Sequence, residues 1–247
     1  MSSISKLSLF IPFVYFIFTR IKTPSSFVSW IIIYFVPILV IATIFGGNDA
    51  FLTFCLIASV YSVYEFGYIF NDSLTILKES SPTLRVSEEF STFVRMNIYK
   101  LFILRLFQSY ILGYIAVGNI CLFYILPIII LYFFYNNIRS RVNLFLHFFL
   151  VLFRYSFPIY VLSGLSFFWL SIFLFPVPNL IERSTEIRFN FKFLIRLRPY
   201  IDLFRVFYYG AITVVVYIFM NDEYVYLPLY YFLYRLFCYQ RLKSRTI

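Results

Sequence analysis

Long apolar runs alternate with short polar stretches along almost the whole chain. Several runs approach or reach the roughly 20 residues that an α-helix needs to cross a hydrocarbon core. We interpret as membrane-spanning helices the runs at 26–45, 50–70, 93–115, 119–135, 144–162, 163–179, 201–219 and 224–239. The pattern therefore predicts one all-α, polytopic transmembrane bundle over residues 1–247, with eight spans and nine as the alternative.

The first apolar run is too short to count as a span. Residues 8–18 are followed at once by Arg20 and Lys22, which favours a helix at the membrane interface. We therefore assign residues 1–24 to an interfacial or cytoplasmic segment. No cleavage-site pattern follows this run, so we predict no removable signal peptide.

Composition supports a membrane protein. Hydrophobic residues make up 62% of the 247 residues and charged residues only 13%, whereas soluble domains carry about 25% charged residues. The high content of Phe and Tyr is read as tolerance of the lipid environment rather than as an aromatic cage. Cys55, Cys121 and Cys238 lie far apart with only His147 as a potential companion, which argues against a zinc site and a disulfide framework.

Basic residues gather on one side of the predicted bundle. Tight turns are predicted after the first, third, fifth and seventh spans, at Gly46-Gly47-Asn48, Gly118-Asn119, Ser163-Gly164 and Asn221-Asp222. These turns contain no Lys or Arg, and their acids are Asp49, Asp222 and Glu223. The positive-inside rule assigns the basic side to the cytoplasm, with both termini there. Contact with anionic lipid accounts for part of the net charge of +10.

A first group of polar residues begins inside the second predicted span and continues into a loop at 71–92. Glu65 lies within an apolar run, where an ionisable group is costly and suggests a function. Asp72 follows Glu65 by seven residues, so both share one helix face. Asn71, Asp72 and Glu79 offer the oxygen ligands that Mg²⁺ uses when it holds a diphosphate. The alternative is a capped helix end with solvated loop charges.

A second group lies in the loop at 180–200, four spans later and on the same predicted face. It contains Glu182, Arg183, Glu186 and Arg188. The two loops can close on one diphosphate from opposite sides. The alternative is an amphipathic loop held by its own salt bridges.

A third, weaker group combines Tyr135, Arg139 and Arg141 with Arg154 of the fifth predicted span. An arginine inside a span is expected to point into the bundle and meet a carboxylate or a phosphate. A buried Glu65–Arg154 pair without a catalytic part is the alternative. His147 is interpreted as a packed residue.

Four stretches of the sequence carry a family resemblance. Asn71-Asp72-x-x-Thr75-x-x-x-Glu79 resembles the Asn-Asp-x-x-Asp-x-x-x-Asp motif of the UbiA superfamily of intramembrane prenyltransferases. Pro82-Thr83-Leu84-Arg85 and Arg183-x-x-Glu186-Ile187-Arg188 resemble the Pro-Thr-Lys-Arg and Arg-x-x-Glu-Leu-Arg motifs of its decaprenyl-phosphate phosphoribosyltransferase branch. Tyr135 with Arg139 and Arg141 is similar to the family's Tyr-Ser-x-x-Leu-Lys stretch. The chain departs from the family at Thr75, which replaces an Asp, and at Glu79, which is longer by a methylene.

The resemblance implies a UbiA-like fold and an Mg²⁺-dependent transferase in the bacterial cytoplasmic membrane. A phosphoribosyl or related sugar group would move from a diphosphate donor to a polyprenyl phosphate, and no nucleic acid is involved. Asn71, Asp72 and Glu79 would hold the metal, while Lys78 and Arg85 would act with Asp72 and Glu79 on the leaving diphosphate. The substrate-binding residues would be Glu65, Tyr68, Arg139, Arg141, Arg154, Glu182, Arg183, Glu186 and Arg188.

Two other functions remain open from the sequence. The first is a prenyltransferase that uses polyprenyl diphosphate as the donor and a small aromatic molecule as the acceptor. The second is a transporter or scaffold without catalysis, in which the charged loops set only the topology.

Overall fold

The computed structural model describes residues 6–78, 83–138, 140–220 and 222–243, and its regular elements there are all helical. The α-helices are α1 (Val14–Arg20), α2 (Pro24–Phe45), α3 (Ala50–Ser73), α4 (Glu88–Val117), α5 (Leu122–Asn137), α6 (Val142–Val151), α7 (Phe157–Leu174), α8 (Pro176–Ser184), α9 (Lys192–Ile195), α10 (Ile201–Phe219) and α11 (Asp222–Lys243). The π-helical turn Leu152–Ser156 joins α6 to α7, and α2 contains two further π-helical turns. The predicted all-α class is confirmed.

Five helical stretches of the described chain are long and apolar enough to cross a membrane, judged by length and composition. They are Pro24–Phe45, Ala50–Leu77, Glu88–Asn137, Val142–Ser184 and Arg198–Phe219. The predicted membrane character is confirmed at this level. The last predicted span, 224–239, lies within α11, which is not among these five stretches.

The longest stretch, Glu88–Asn137, reverses direction at Gly118. This glycine has a φ of 62°, which residues with a Cβ atom rarely adopt. It separates α4 from α5. Side-chain contacts show that α5 runs parallel to α3 while α4 runs antiparallel to it. These contacts are Ser59–Tyr124 and Tyr64–Tyr132 for α5, and Ser59–Ser109 and Glu65–Arg105 for α4.

The stretch Val142–Ser184 changes direction in the same way at Gly164, whose φ is 81°. Just before it, the carbonyl of Leu162 accepts a hydrogen bond from Asn48, which lies between α2 and α3. After it, the chain returns past α10, where the hydroxyl of Tyr209 donates to the carbonyl of Leu174 at 2.9 Å. The turns at Gly118 and Gly164 coincide with turns that the sequence predicted.

The described part of the N-terminal segment, from residue 6 onward, packs one face against the bundle. Leu9 and Tyr15 are fully buried, and the backbone N–H of Phe16 donates to Glu65 Oε1 at 2.7 Å. The guanidinium of Arg105 donates to the carbonyls of Ser8 and Ile11. This segment therefore supplies hydrogen-bond partners to buried charges that otherwise lie among apolar side chains. Its predicted position at the membrane interface stays a prediction.

A close approach between α3 and α5 occurs at Gly67. A Cβ atom at this position would overlap the ring of Tyr132, and Asn136 of α5 donates to the Gly67 carbonyl at 3.4 Å. We expect Gly67→Ala to destabilise the protein by about 1–3 kcal/mol, since a packed ring has to move. Thermal unfolding in detergent measures this.

Gly210→Ala is the matched control for Gly67→Ala. A Cβ at Gly210 would lie 3.3 Å from the ring of Phe232, which leaves room for a small adjustment. We expect a smaller loss of stability there. Equal unfolding temperatures for both variants would contradict the close packing of α3 on α5.

Candidate functional site

Asp72 stands at the C-terminal end of α3 and binds two arginines. Arg20 forms a two-pronged contact, with Nη1 2.9 Å from Oδ2 and Nη2 3.0 Å from Oδ1. Arg85 Nη1 lies 3.3 Å from Oδ1. The hydroxyl of Tyr15 donates to Oδ2 at 2.9 Å. The Asp72 side chain is fully buried, whereas those of Arg20 and Arg85 are 18% and 31% exposed. Asp72 thus holds two partly accessible guanidinium groups in place.

Tyr15 contributes to this arrangement as a hydrogen-bond donor. Burial, together with the negative charge of Asp72, raises the pKa of Tyr15 well above its ordinary value. The hydroxyl therefore stays protonated and keeps its hydrogen bond to the carboxylate.

A cavity of about 350 Å³ lies beside Asp72, and we call it the arginine cavity. Arg20 and Arg85 line one part of it, and Arg183 and Arg188 line another. Its polar lining also includes Tyr68, Asn71, Thr83, Tyr135 and Asn136. The structure therefore brings together Tyr68, Asn71 and Arg85 of the first predicted group with Arg183 and Arg188 of the second.

A larger chamber of about 1020 Å³ adjoins the arginine cavity. Tyr64, Tyr68, His147 and Arg183 line both spaces, so these side chains form their common wall. Glu182, Glu186 and Arg154 line the larger chamber, as do apolar and aromatic residues that include Trp30, Tyr34 and Tyr155. His147 is half-buried and lines both spaces, so the structure places it at the cavities and not in the closed packing that we predicted.

The acids of the second group are engaged by neighbouring arginines. Glu182 forms an ion pair with Arg205 of α10. Glu186 Oε2 lies 2.7 Å from Arg188 Nε, and Glu186 Oε1 lies 3.8 Å from Arg183 Nη1. Arg183 also donates to the hydroxyl of Tyr135. The salt-bridged loop that the sequence offered as an alternative therefore exists, and its arginines still line the cavity.

Arg154 lies in an aromatic environment. Its guanidinium carbon is 4.4–4.9 Å from the ring centroids of Phe16, Tyr61, Tyr64 and Tyr155. It donates to the hydroxyls of Tyr61 and Tyr68 at 2.6 and 3.1 Å. In the described part of the chain its hydrogen bonds go to tyrosines and not to a carboxylate. This corrects the expected carboxylate partner, while the phosphate that we offered as the other partner stays a prediction.

Glu65 pairs with Arg105 of α4 rather than with Arg154. The Glu65 Oε2 and Arg105 Nη1 atoms are 3.2 Å apart, and both side chains are fully buried. Glu65 lines neither of the two cavities. The structure therefore gives Glu65 a role in holding the N-terminal segment, instead of the substrate contact that we predicted.

The remaining predicted residues fall outside the cavities or outside the described chain. Arg141 donates to the carbonyls of Phe189 and Asn190 and stacks on Phe191, so it anchors the loop after α8. Lys78 ends a helical turn that follows α3, and its side chain is not described. Glu79 and Arg139 lie outside the described residues.

The arrangement around Asp72 does not fit Mg²⁺. Oδ1 accepts from both arginines, and Oδ2 accepts from Arg20 and Tyr15. A dication beside this carboxylate would be repelled by two guanidinium groups a few ångström away. Within the described ranges, no group of three or more His, Cys, Asp or Glu side chains is placed to hold a metal. The predicted ligand Glu79 is not described, so a magnesium cofactor stays a prediction.

The sequence reasoning missed Arg20, Tyr15 and Arg105 as partners of the buried acids. Arg105 lies inside the predicted span 93–115, and the argument applied to Arg154 would have identified it. Arg20 and Tyr15 are more than fifty positions from Asp72 in the chain, and no local pattern indicates that contact.

Comparison of the chain with family models, with curated proteins and with solved structures finds no match.

Proposed function

We propose that this chain is a membrane transferase that acts on a diphosphate substrate bound in the arginine cavity. The observation that carries the proposal is the convergence of Arg20, Arg85, Arg183 and Arg188 on one cavity from distant parts of the sequence. The motifs that resemble the UbiA superfamily include Arg85, Arg183 and Arg188 of this set.

The charge of the cavity suits a diphosphate. Guanidinium groups contact phosphate oxygens through two parallel hydrogen bonds, a geometry that lysine lacks. Among the described residues, the four arginines outnumber the acids that pair with them, Asp72 and Glu186. Because the cavity is partly shielded from water, attraction between these charges and a phosphate exceeds that at an open surface.

The leading reaction is transfer of a phosphoribosyl or related sugar group to a polyprenyl phosphate. A phosphate oxygen of the lipid attacks the anomeric carbon of the sugar while the bond from that carbon to the diphosphate oxygen breaks. The diphosphate leaves with the electron pair, and no proton has to be removed from the attacking group. The arginines stabilise the charge on the leaving diphosphate. The acceptor is already an anion, so the reaction needs no general base.

We further propose eight passes through the membrane, with α11 as the last. The reversals at Gly118 and Gly164 support this count, since they divide two long apolar stretches into antiparallel parts. The cavity arginines and the contact of Arg141 with the Phe189 carbonyl lie at the end opposite these two turns. By the positive-inside rule this end faces the cytoplasm, and both termini lie there.

A second candidate is prenyl transfer from a polyprenyl diphosphate to a small aromatic acceptor. The large chamber favours it, because aromatic side chains such as Trp30, Tyr34 and Tyr155 line a volume of about 1020 Å³ next to the arginine cavity. The two candidates differ in whether the diphosphate is attached to the sugar or to the lipid.

A label-transfer assay tests the proposal. The purified protein is incubated in detergent with labelled phosphoribosyl diphosphate and polyprenyl phosphate, and the lipid phase is counted. Lipid-linked label supports sugar transfer, while consumption of polyprenyl diphosphate only with an aromatic acceptor supports the second candidate. If both assays show no activity, the result contradicts a transferase and favours a transporter or scaffold. Parallel reactions with Mg²⁺ and with EDTA test the predicted cofactor.

A further inference from the structure

We infer that the site binds its diphosphate without a divalent cation, through Arg20 and Arg85 held in position by Asp72. The inference rests on the proposed function and names how the same site recognises its substrate. It assigns Asp72 as a positioning residue and Arg20, from the N-terminal segment, as a binding residue.

The geometry around Asp72 is that of a carboxylate orienting cations. Each oxygen accepts from a guanidinium group, and Arg20 spans both oxygens at 2.9 and 3.0 Å. Arg20 is also fixed by its stacking on Tyr68, with 4.4 Å between the guanidinium carbon and the ring centroid. A side chain that is held from two sides presents its remaining donors in a fixed direction.

Donors remain for a ligand after these contacts. A guanidinium group carries five N–H donors, of which Arg20 uses two on Asp72 and Arg85 uses one. Both arginines line the arginine cavity and keep part of their surface exposed. A phosphate oxygen in the cavity can therefore accept from Arg20 and Arg85 while both arginines remain bound to Asp72.

The residue at position 75 agrees with a site that binds its ligand through arginine side chains and not through a metal ion. Thr75 lies one turn after Asp72 and is buried, where a second carboxylate would provide another metal ligand. With a hydroxyl in its place, one acid of the described chain opposes the two arginine charges at Asp72. The balance of charge around Asp72 is therefore positive, which favours an anion over a metal ion.

Binding of inorganic pyrophosphate to the full-length protein in detergent, measured by calorimetry with EDTA and with Mg²⁺, tests the inference. We expect dissociation constants within about twofold of each other under the two conditions. Pyrophosphate binding that requires Mg²⁺ overturns the inference and leaves the proposed function standing. Binding under neither condition overturns both.

Variants of the arginines and of Asp72 distinguish pyrophosphate binding by the arginines from binding through a metal ion held by Asp72. In EDTA, Arg20→Gln should weaken pyrophosphate binding about tenfold or more, because a two-pronged contact is lost. Lys22→Gln removes the same charge from an exposed position two residues away and should change little. Asp72→Asn keeps one side-chain oxygen that can accept from the arginines and should retain pyrophosphate binding when Mg²⁺ is present, whereas loss of a metal ligand would abolish binding under that condition.

Folding is checked in parallel by thermal unfolding, and Arg20→Lys replaces Arg20→Gln if the latter does not fold. Arg20→Lys keeps the charge and should bind with intermediate affinity. Competition by phosphoribosyl diphosphate and by farnesyl diphosphate in EDTA distinguishes a soluble from a lipid-linked diphosphate. Displacement by either one supports the inference, and displacement by neither contradicts it.

Discussion

Arg105→Met is expected to cost about 3–5 kcal/mol of stability, the largest effect of any single substitution considered for the bundle. Its partner Glu65 is fully buried in α3, so the variant leaves a carboxylate without a cation among apolar side chains. The carbonyls of Ser8 and Ile11 lose their donor as well. Thermal unfolding in detergent, followed by intrinsic fluorescence, measures the loss.

Two comparisons make the result specific to the buried pair. Glu65→Gln combined with Arg105→Met should recover part of the stability, because the orphaned charge is removed along with its partner. Arg95→Met on the same helix breaks a pair with Glu88, whose side chain is 77% exposed, and should change the unfolding temperature little. Equal losses from Arg105→Met and Arg95→Met would contradict a buried ion pair that holds the N-terminal segment.

Arg183→Gln is expected to reduce the rate of label transfer by about 10²–10³, as loss of one charged or hydrogen-bonding group does at comparable sites. Arg183 lines both the arginine cavity and the large chamber, and it also donates to Tyr135. It is therefore placed to contact the bound diphosphate where the two spaces meet. Initial rates at saturating donor and acceptor measure the effect.

Arg196→Gln is the matched control for Arg183→Gln. It removes the same charge from the same loop, at an exposed position that lines neither cavity. We expect its transfer rate to equal that of the unmodified protein. A similar loss in both variants would show that the loop acts only through its overall charge, and would contradict the role given to Arg183.

Local pattern predicted much of the helical framework. The predicted span 201–219 coincides with α10, and the predicted turns at Gly118 and Gly164 fall where the chain reverses. Helices and tight turns form through contacts between residues that are close in the chain, so the local sequence pattern predicts both. The buried N-terminal segment depends instead on contacts with Glu65 and Arg105, which no local pattern encodes.

The candidate site was predicted in part for the same reason. The sequence placed Arg85 and Arg183 in two loops on one face, and the structure places them around one cavity. It assigned Asp72 to a metal. A carboxylate at a helix end can bind either a metal ion or an arginine, and the residue type alone does not distinguish the two partners. The contacts of Asp72 with Arg20, fifty-two residues away, and with Arg85 favour the arginine.

Protection of a single introduced cysteine tests most directly that a diphosphate occupies the arginine cavity. Thr83 lines the cavity, while its neighbour Leu84 is 69% exposed and does not. Thr83→Cys and Leu84→Cys are made in a Cys238→Ser background, because Cys55 and Cys121 are buried and Cys238 is partly accessible. Pyrophosphate should slow maleimide labelling of Thr83→Cys and leave Leu84→Cys unchanged. Labelling of Thr83→Cys that does not respond to saturating pyrophosphate, or equal slowing at both positions, would contradict the site.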